Sequence, residues 1–94
     1  MNLAQCYINL KQYNLAVGNC DLALRLDVNN TKALFRRGKA YYSLKKFEDA
    51  KKDFAEVVVK DPSNTLAAKQ ITVVDKAIAL EKQKEKQMYA KMFS

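Results

Sequence analysis

Apolar residues recur every three or four positions along most of the chain, and this spacing predicts helices. In the middle of the chain, Leu34, Tyr41 and Leu44 form one helical stripe. A second stripe follows directly and consists of Phe47, Ala50, Phe54, Val57 and Val58. The pattern as a whole predicts helices over residues 1–12, 14–27, 31–45, 47–60 and about 65–92.

Polar residues mark where these helices begin and end. Asn30 and Asn64 stand just before two of the apolar stripes, where an asparagine side chain caps a helix well. The run Asp61-Pro62-Ser63-Asn64 is a turn and stop signal. Gly38 lies within a predicted helix, where a missing side chain allows a neighbouring helix to approach closely.

The chain contains an internal repeat of 34 residues. Shifting the sequence by that length gives eight identities over the 33 pairs that begin at Met1. Most of them are packing or turn positions, which indicates two copies of one helical hairpin. The identical pairs are Tyr7 and Tyr41, Leu10 and Leu44, Lys11 and Lys45, Ala16 and Ala50, Asp27 and Asp61, Asn30 and Asn64, Thr31 and Thr65, and Ala33 and Ala67.

The last predicted helix differs along its length. Its first part carries a stripe that we expect to cover the open face of the second repeat. Residues 81–87 contain no apolar residue, so this segment is expected to be a solvated extension. The stripe consists of Leu66, Ala67, Ile71, Val74 and Ile78, and apolar residues return at Met88, Tyr89, Met92 and Phe93.

Positive charge is concentrated in the central hairpin. The net charge of the 94 residues is +7, and residues 32–52 alone carry eight basic and two acidic residues, a net +6. A local basic surface suits an acidic ligand, although a solvated helix face would show the same composition.

Composition excludes several classes of function. There is no histidine, and Cys6 and Cys20 are the only cysteines. We therefore predict no catalytic residues, no metal site and no cofactor. The two cysteines are expected to pack as small apolar residues, and unpaired thiols favour the cytoplasm, or the nucleus as well. No apolar run is long enough to span a membrane.

The residues at fixed offsets in the two hairpins resemble the tetratricopeptide repeat. In the second hairpin the matching positions are Gly38, Tyr41, Ala50, Phe54, Val57 and Pro62. In the first they are Ala4, Tyr7, Ala16, Cys20, Ala23 and Val28, the last of which departs from the family's proline. The resemblance implies an all-α fragment of a superhelix: a first hairpin over 1–30, a second over 31–64 and a C-terminal helical extension over 65–94.

Three stretches are more specifically similar to the C-terminal half of the large immunophilins, co-chaperones of the FKBP class or the forty-kilodalton cyclophilin class. They are residues 2–7, 31–38 and 89–93. In those proteins a prolyl isomerase domain precedes three repeats, which bind the Glu-Glu-Val-Asp terminus of heat-shock chaperones. The resemblance implies that this chain begins within the second repeat of a longer protein whose isomerase domain and first repeat are missing.

The family holds the peptide's carboxylates with five residues, and three of them have counterparts here: Asn2, Lys32 and Arg36. Lys32 and Arg36 are four residues apart and share a helix face. Phe35 and Lys39 lie alongside them and complete the predicted peptide site, with Tyr42 and Asn9 as weaker candidates. Arg37 points to another face, where it is either exposed to solvent or part of the packing between helices. Tyr7, Tyr41 and Phe54 are expected to belong to the core.

Other partners remain open at this point. Nucleic acid is the runner-up, supported by charge alone. A calmodulin-like protein is a third alternative, because the last helix combines lysines with Met88, Met92 and Phe93. Two repeats without a preceding one also leave an apolar side of helix 1–12 bare. We therefore expect self-association, exchange of helices or marginal stability.

Overall fold

A computed structural model describes residues 12–92 of the chain, apart from the side chain of Tyr89. It contains four α-helices, and each packs against the next along the chain. Their bounds are Tyr13–Leu26 (α1), Thr31–Ser43 (α2), Phe47–Lys60 (α3) and Thr65–Met92 (α4). The all-α fold class is therefore confirmed, and these four helices begin and end within two residues of the predicted positions. The helix predicted over 1–12 falls, except for Gln12, outside the described residues.

Two asparagines begin helices as predicted. The side-chain oxygen of Asn30 accepts a hydrogen bond from the Ala33 amide at 3.1 Å, and Asn64 accepts one from Ala67 at the same distance. Each bond satisfies one of the amides that the first turn of a helix leaves without a partner. The 34-residue repeat in the sequence is thus a repeat of local structure as well.

The turn between α2 and α3 is short because Lys45 adopts a left-handed conformation, with φ of 62°. This reversal lets the Lys46 amide donate to the Tyr41 carbonyl at 2.8 Å. Such a bond caps the C-terminal end of α2, because it satisfies a carbonyl that the helix itself leaves without a donor. As a result α3 folds back along α2 after only three residues.

The core is built around Phe54, which has no exposed surface. Its ring meets that of Phe35 edge to face, with centroids 5.4 Å apart. Ala50 and Val74 complete this cluster, so it joins α3 to α4. Tyr41, predicted to be core, packs against the cluster but is only half-buried.

Cys20 is buried in α1 and forms no disulfide, as predicted for a small apolar residue. Burial raises the pKa of its thiol, because the thiolate would lose its hydration there. Cys6 lies outside the described residues.

Gly38 allows α3 to approach α2 closely, as its position in the sequence predicted. A Cβ atom at this position would lie 2.8 Å from Cε1 of Phe54 and 2.9 Å from Cζ. Because Phe54 is fully buried, its ring cannot move aside freely.

Replacing Gly38 with alanine is expected to lower the free energy of unfolding by about 1–2 kcal/mol, since overpacking exceeds the gain in helix propensity. Gly18 is the matched control, because a Cβ there meets nothing within 4 Å. Gly18→Ala should stabilise the protein by about 0.5–1 kcal/mol. Urea denaturation of both variants measures the difference, and equal effects would contradict the close approach at Gly38.

Arg37 joins three helices. Its Nε and Nη2 donate to the two carboxylate oxygens of Asp53 on α3, at 2.8 and 2.7 Å. Its Nη1 donates to Asp21 on α1 at 2.8 Å. Of the two alternatives for Arg37, solvent exposure or packing between helices, the structure shows the second.

The first part of α4 covers α3 through Ala67 and Val74, which are buried, with Ile71 and Ile78 packed alongside. Leu66 was predicted to belong to this stripe, and that prediction is wrong. Its side chain is 61% exposed, because it precedes Ala67 by one residue and points about 100° away around the helix. Beyond Glu81 the described side chains of α4 are exposed, and no helix among the described residues is long and apolar enough to cross a membrane.

Candidate functional site

One face of α2 carries four of the five residues predicted to bind a peptide. Lys32, Phe35, Arg36 and Lys39 follow one another at intervals of three, one and three residues, so a helix places them on one side. The opposite side of α2 holds Ala33, Leu34 and Ala40, which are buried. The helix therefore has one side in the core and one side facing outward.

This outward face forms one wall of a groove of about 290 Å³. The start of α4 forms the other wall, through Asn64 and Leu66. Seven residues line the groove: Thr31, Lys32, Phe35, Arg36, Lys39, Asn64 and Leu66. The structure thus brings Lys32, Phe35, Arg36 and Lys39 together around a single concave surface.

The electrostatics of the groove are one-sided. Three of the side chains that line the groove are cations. Within residues 12–92, no carboxylate lines it. The Lys39 ammonium lies 5.9 Å from the centroid of the Phe35 ring, which orients it weakly towards that ring. Phe35 itself is held by the edge of Phe54. An anion entering the groove would meet positive charge beside a fixed aromatic ring.

The remaining site predictions have mixed outcomes. Asn2 and Asn9 lie outside the described residues, so their place relative to the groove is not part of the described structure. Tyr42 packs against Phe47, with centroids 5.5 Å apart, and does not line the groove. Three residues that line the groove were not predicted from the sequence as site residues: Thr31, Asn64 and Leu66. The 34-residue shift contained the signal for Leu66, since it places this residue on Lys32.

The C-terminal helix shows two of the features behind the calmodulin alternative. Met88 and Met92 are both largely exposed on α4, among lysines. Phe93 lies outside the described residues. Binding of a calmodulin-like protein therefore stays an alternative, as does binding of nucleic acid, and self-association stays a prediction.

The side chains that line the groove suit the binding of a ligand. Within residues 12–92 there is no cluster of three histidine, cysteine or acidic side chains that fits a metal ion. Arginine offers a planar fork and lysine a point charge, and both suit a carboxylate. Phe35 and Leu66 offer apolar surface in the same groove. The chemistry of the groove therefore suits an acidic ligand that also carries apolar groups.

Comparison with protein families matches two consecutive segments to one description, "Tetratricopeptide repeat". The segments are residues 1–30 and residues 31–64. Together they account for about two thirds of the chain. Repeats of this architecture stack into a curved array whose concave surface binds partners.

Three known proteins show similarity over most of the chain. "Peptidyl-prolyl cis-trans isomerase FKBP4" from Bos taurus is 43% identical over 93 residues, which is 99% of this chain and 20% of that protein. This chain therefore spans about a fifth of the length of that relative. It is also similar to the solved structure "First TPR of Spaghetti (RPAP3) bound to HSP90 peptide SRMEEVD", at a TM-score of 0.79 and 38% identity. That likeness covers 81% of this chain and 60% of the other.

A second solved structure is the second TPR domain of human RPAP3 "in complex with HSP70 peptide SGPTIEEVD". It is 33% identical at a TM-score of 0.74, covering 77% of this chain and 60% of the other. Both neighbours hold a peptide that ends in the same four residues, Glu-Glu-Val-Asp.

Proposed function

Because the chain belongs to the tetratricopeptide repeat family, we propose that it binds the acidic C-terminal peptide of a heat-shock chaperone and serves a co-chaperone as its interaction module. The observation that carries the proposal is the groove between α2 and α4, with three cations and no carboxylate among its described lining residues. The similarity to two repeat domains bound to peptides ending in Glu-Glu-Val-Asp supports it.

The ligand's carboxylates are expected to meet Lys32 and Arg36. These two side chains lie one helical turn apart on α2, a spacing that two neighbouring carboxylates of a peptide can match. A terminal residue with an acidic side chain offers both carboxylates at once. Asn2 is proposed to add a neutral donor from the preceding repeat, as in the family's clamp.

Arg36→Ala is expected to weaken binding of the peptide SRMEEVD about ten- to a hundredfold. Losing a hydrogen bond to a charged group costs about 1.5–3 kcal/mol, and a factor of ten in affinity corresponds to about 1.4 kcal/mol. Isothermal titration calorimetry with the free-acid peptide measures the change. A peptide amidated at its C-terminus should bind the parent protein weakly and should lose little further affinity on substitution.

Arg25→Ala is the matched control, because Arg25 is an exposed arginine on α1 and does not line the groove. Arg37→Ala is unsuitable as a control, since Arg37 holds Asp53 and Asp21 and its loss would disturb the fold. If Arg36→Ala and Arg25→Ala bind the free-acid peptide equally well, Arg36 is not a ligand of the carboxylate. If the amidated and free peptides bind alike, the proposed recognition of the terminus is wrong.

A further inference from the structure

Thr31 lines the groove between α2 and α4 and, among the described residues that do so, it alone carries a hydroxyl. It is the first residue of α2, directly after the cap at Asn30, and its side chain is partly exposed. The proposed binding of a peptide gives this hydroxyl no role. A threonine hydroxyl is a group that protein kinases phosphorylate, and the added charge acts on whatever surrounds it.

The groove offers three cations to a phosphate group on Thr31. Lys32, Arg36 and Lys39 line it, and within residues 12–92 no acidic side chain does. Neither Lys32 nor Lys39 forms an ion pair with another residue of that range. Lys32 follows Thr31 directly, and Arg36 begins about 7 Å further along the helix. Phosphate oxygens are strong acceptors for both kinds of cation, so the phosphate would pair with the groove.

We propose that Thr31 is a phosphorylation site and that its phosphate switches off binding of the acidic peptide. This inference rests on the proposed function and adds regulation to the same groove. In the reaction, Oγ1 of Thr31 attacks the γ-phosphorus of ATP, the bond from that phosphorus to the β,γ-bridging oxygen breaks, and ADP leaves. The hydroxyl proton passes to a base of a serine/threonine protein kinase and from there to solvent.

The phosphate and the carboxylates of the peptide require the same positive charges. Lys32 and Arg36 are proposed to bind the carboxylates, and a phosphate tethered to the same helix competes for them at a high effective concentration. An entering peptide must break the charge-assisted hydrogen bonds of the phosphate and bring its own carboxylates next to it. Phosphorylation therefore prevents binding by occupying the site, and the fold stays intact.

Thr65 is the matched position in the next repeat. It is the first residue of α4 and follows the cap at Asn64, so a phosphate there meets the same helix dipole. Thr65 is exposed and does not line the groove. On its own helix a phosphate at Thr65 has one lysine within a turn, Lys69. The residues that the 34-residue shift matches to the three cations of the groove are uncharged: Leu66, Gln70 and Val73.

The first test compares the 94-residue chain carrying phosphothreonine at position 31 with the same chain carrying it at position 65, both made by semisynthesis. Isothermal titration calorimetry with the free-acid peptide SRMEEVD measures affinity. Phosphorylation of Thr31 is expected to weaken binding about ten- to a hundredfold, because hydrogen bonds to charged groups must break before the peptide binds. Phosphorylation of Thr65 should weaken it about twofold at most, since solvent and salt screen that charge. Equal weakening at both positions would overturn the inference, because added charge alone would explain it.

A second measurement needs no peptide. Phosphorus NMR follows the second ionisation of each phosphate, whose pKa is ordinarily about 6. Neighbouring cations favour the dianion, so the pKa of the phosphate on Thr31 should lie at least about half a pH unit below that on Thr65. Equal values would show that the phosphate does not pair with the groove, and the inference would be wrong. If the pKa is lowered but SRMEEVD fails to bind the unmodified chain, the proposed function fails while the pairing of the phosphate with the groove stands.

Modification of Thr31 is tested on the folded chain with an animal-cell extract and ATP labelled at its γ-phosphate. The labelling of the chain should fall in Thr31→Val and persist in Thr65→Val. If Thr31→Val is labelled as strongly as the parent, Thr31 is no substrate of these kinases and the inference is overturned.

Discussion

Replacing Arg37 with methionine is expected to lower the free energy of unfolding by about 3–5 kcal/mol at neutral pH, the cost of removing one partner from a buried ion pair. The Asp53 side chain is only 5% exposed, and it receives both of its side-chain hydrogen bonds from Arg37. Methionine fills much of the same space but donates nothing. Asp53 would be left charged in a largely buried site without the Arg37 cation. Chemical denaturation would measure the loss of unfolding free energy.

The loss of unfolding free energy in Arg37→Met should also depend on pH. Burial raises the pKa of Asp53, and the hydrogen bonds from Arg37 oppose that rise. Without Arg37 the pKa of Asp53 in the folded protein rises further, so the folded state keeps a proton that the unfolded state has released. Stability then falls as the pH increases from the ordinary carboxyl pKa through this raised value. We expect the variant to be destabilised less at pH 4 than at pH 7.

Two further variants serve as controls for Arg37→Met. Combining it with Asp53→Leu removes both charges, and the double variant should recover most of the loss. Asp21→Ala should cost less than Arg37→Met, because the Asp21 side chain is 44% exposed and remains hydrated when it is charged. A loss that is identical at pH 4 and pH 7, and that the double variant does not recover, would contradict a buried ion pair.

Phe54→Ala is expected to lower the free energy of unfolding by about 3–5 kcal/mol. The ring has no exposed surface and touches three helices: Phe35 and Gly38 on α2, Ala50 on its own helix, and Val74 on α4. Truncation would leave a cavity where these helices meet. Thermal and urea unfolding would both detect a change of this size.

The same substitution should weaken peptide binding, because the ring of Phe54 holds Phe35 in the groove. Phe47→Ala is the comparison, since Phe47 is half-buried and contacts Tyr42 away from the groove. It should cost less stability and leave affinity unchanged. A Phe54→Ala variant no less stable than Phe47→Ala would show that the helices can close the cavity.

Features that depend on local sequence were predictable. The caps at Asn30 and Asn64 follow from the preference of asparagine for that position, and the face of α2 follows from helical spacing alone. Lys32, Phe35, Arg36 and Lys39 lie together in any helix that contains them. The repeat of 34 residues then predicts that successive hairpins stack.

Features that depend on how the helices pack were harder to predict from the sequence. Arg37 meets Asp21 and Asp53, each 16 residues away, only after α1 and α3 have packed on either side of α2. No periodicity links such residues, so the sequence left two environments open for Arg37. The prediction that Leu66 packs in the core was wrong for a related reason. At the first turn of a helix, a shift of one residue decides whether a side chain meets the core or the groove.

The outer part of α4, from residue 82 to residue 92, has no described side chain in the core. Its helical state therefore depends on a local helix–coil equilibrium and hardly at all on the cooperative folding of the repeats. Like-charged pairs such as Lys82 and Lys86 shift this equilibrium towards the coil, and added salt screens the repulsion between them. The length of helix that extends beyond the repeats is therefore expected to vary with temperature and ionic strength, whereas the helices of the repeats unfold together.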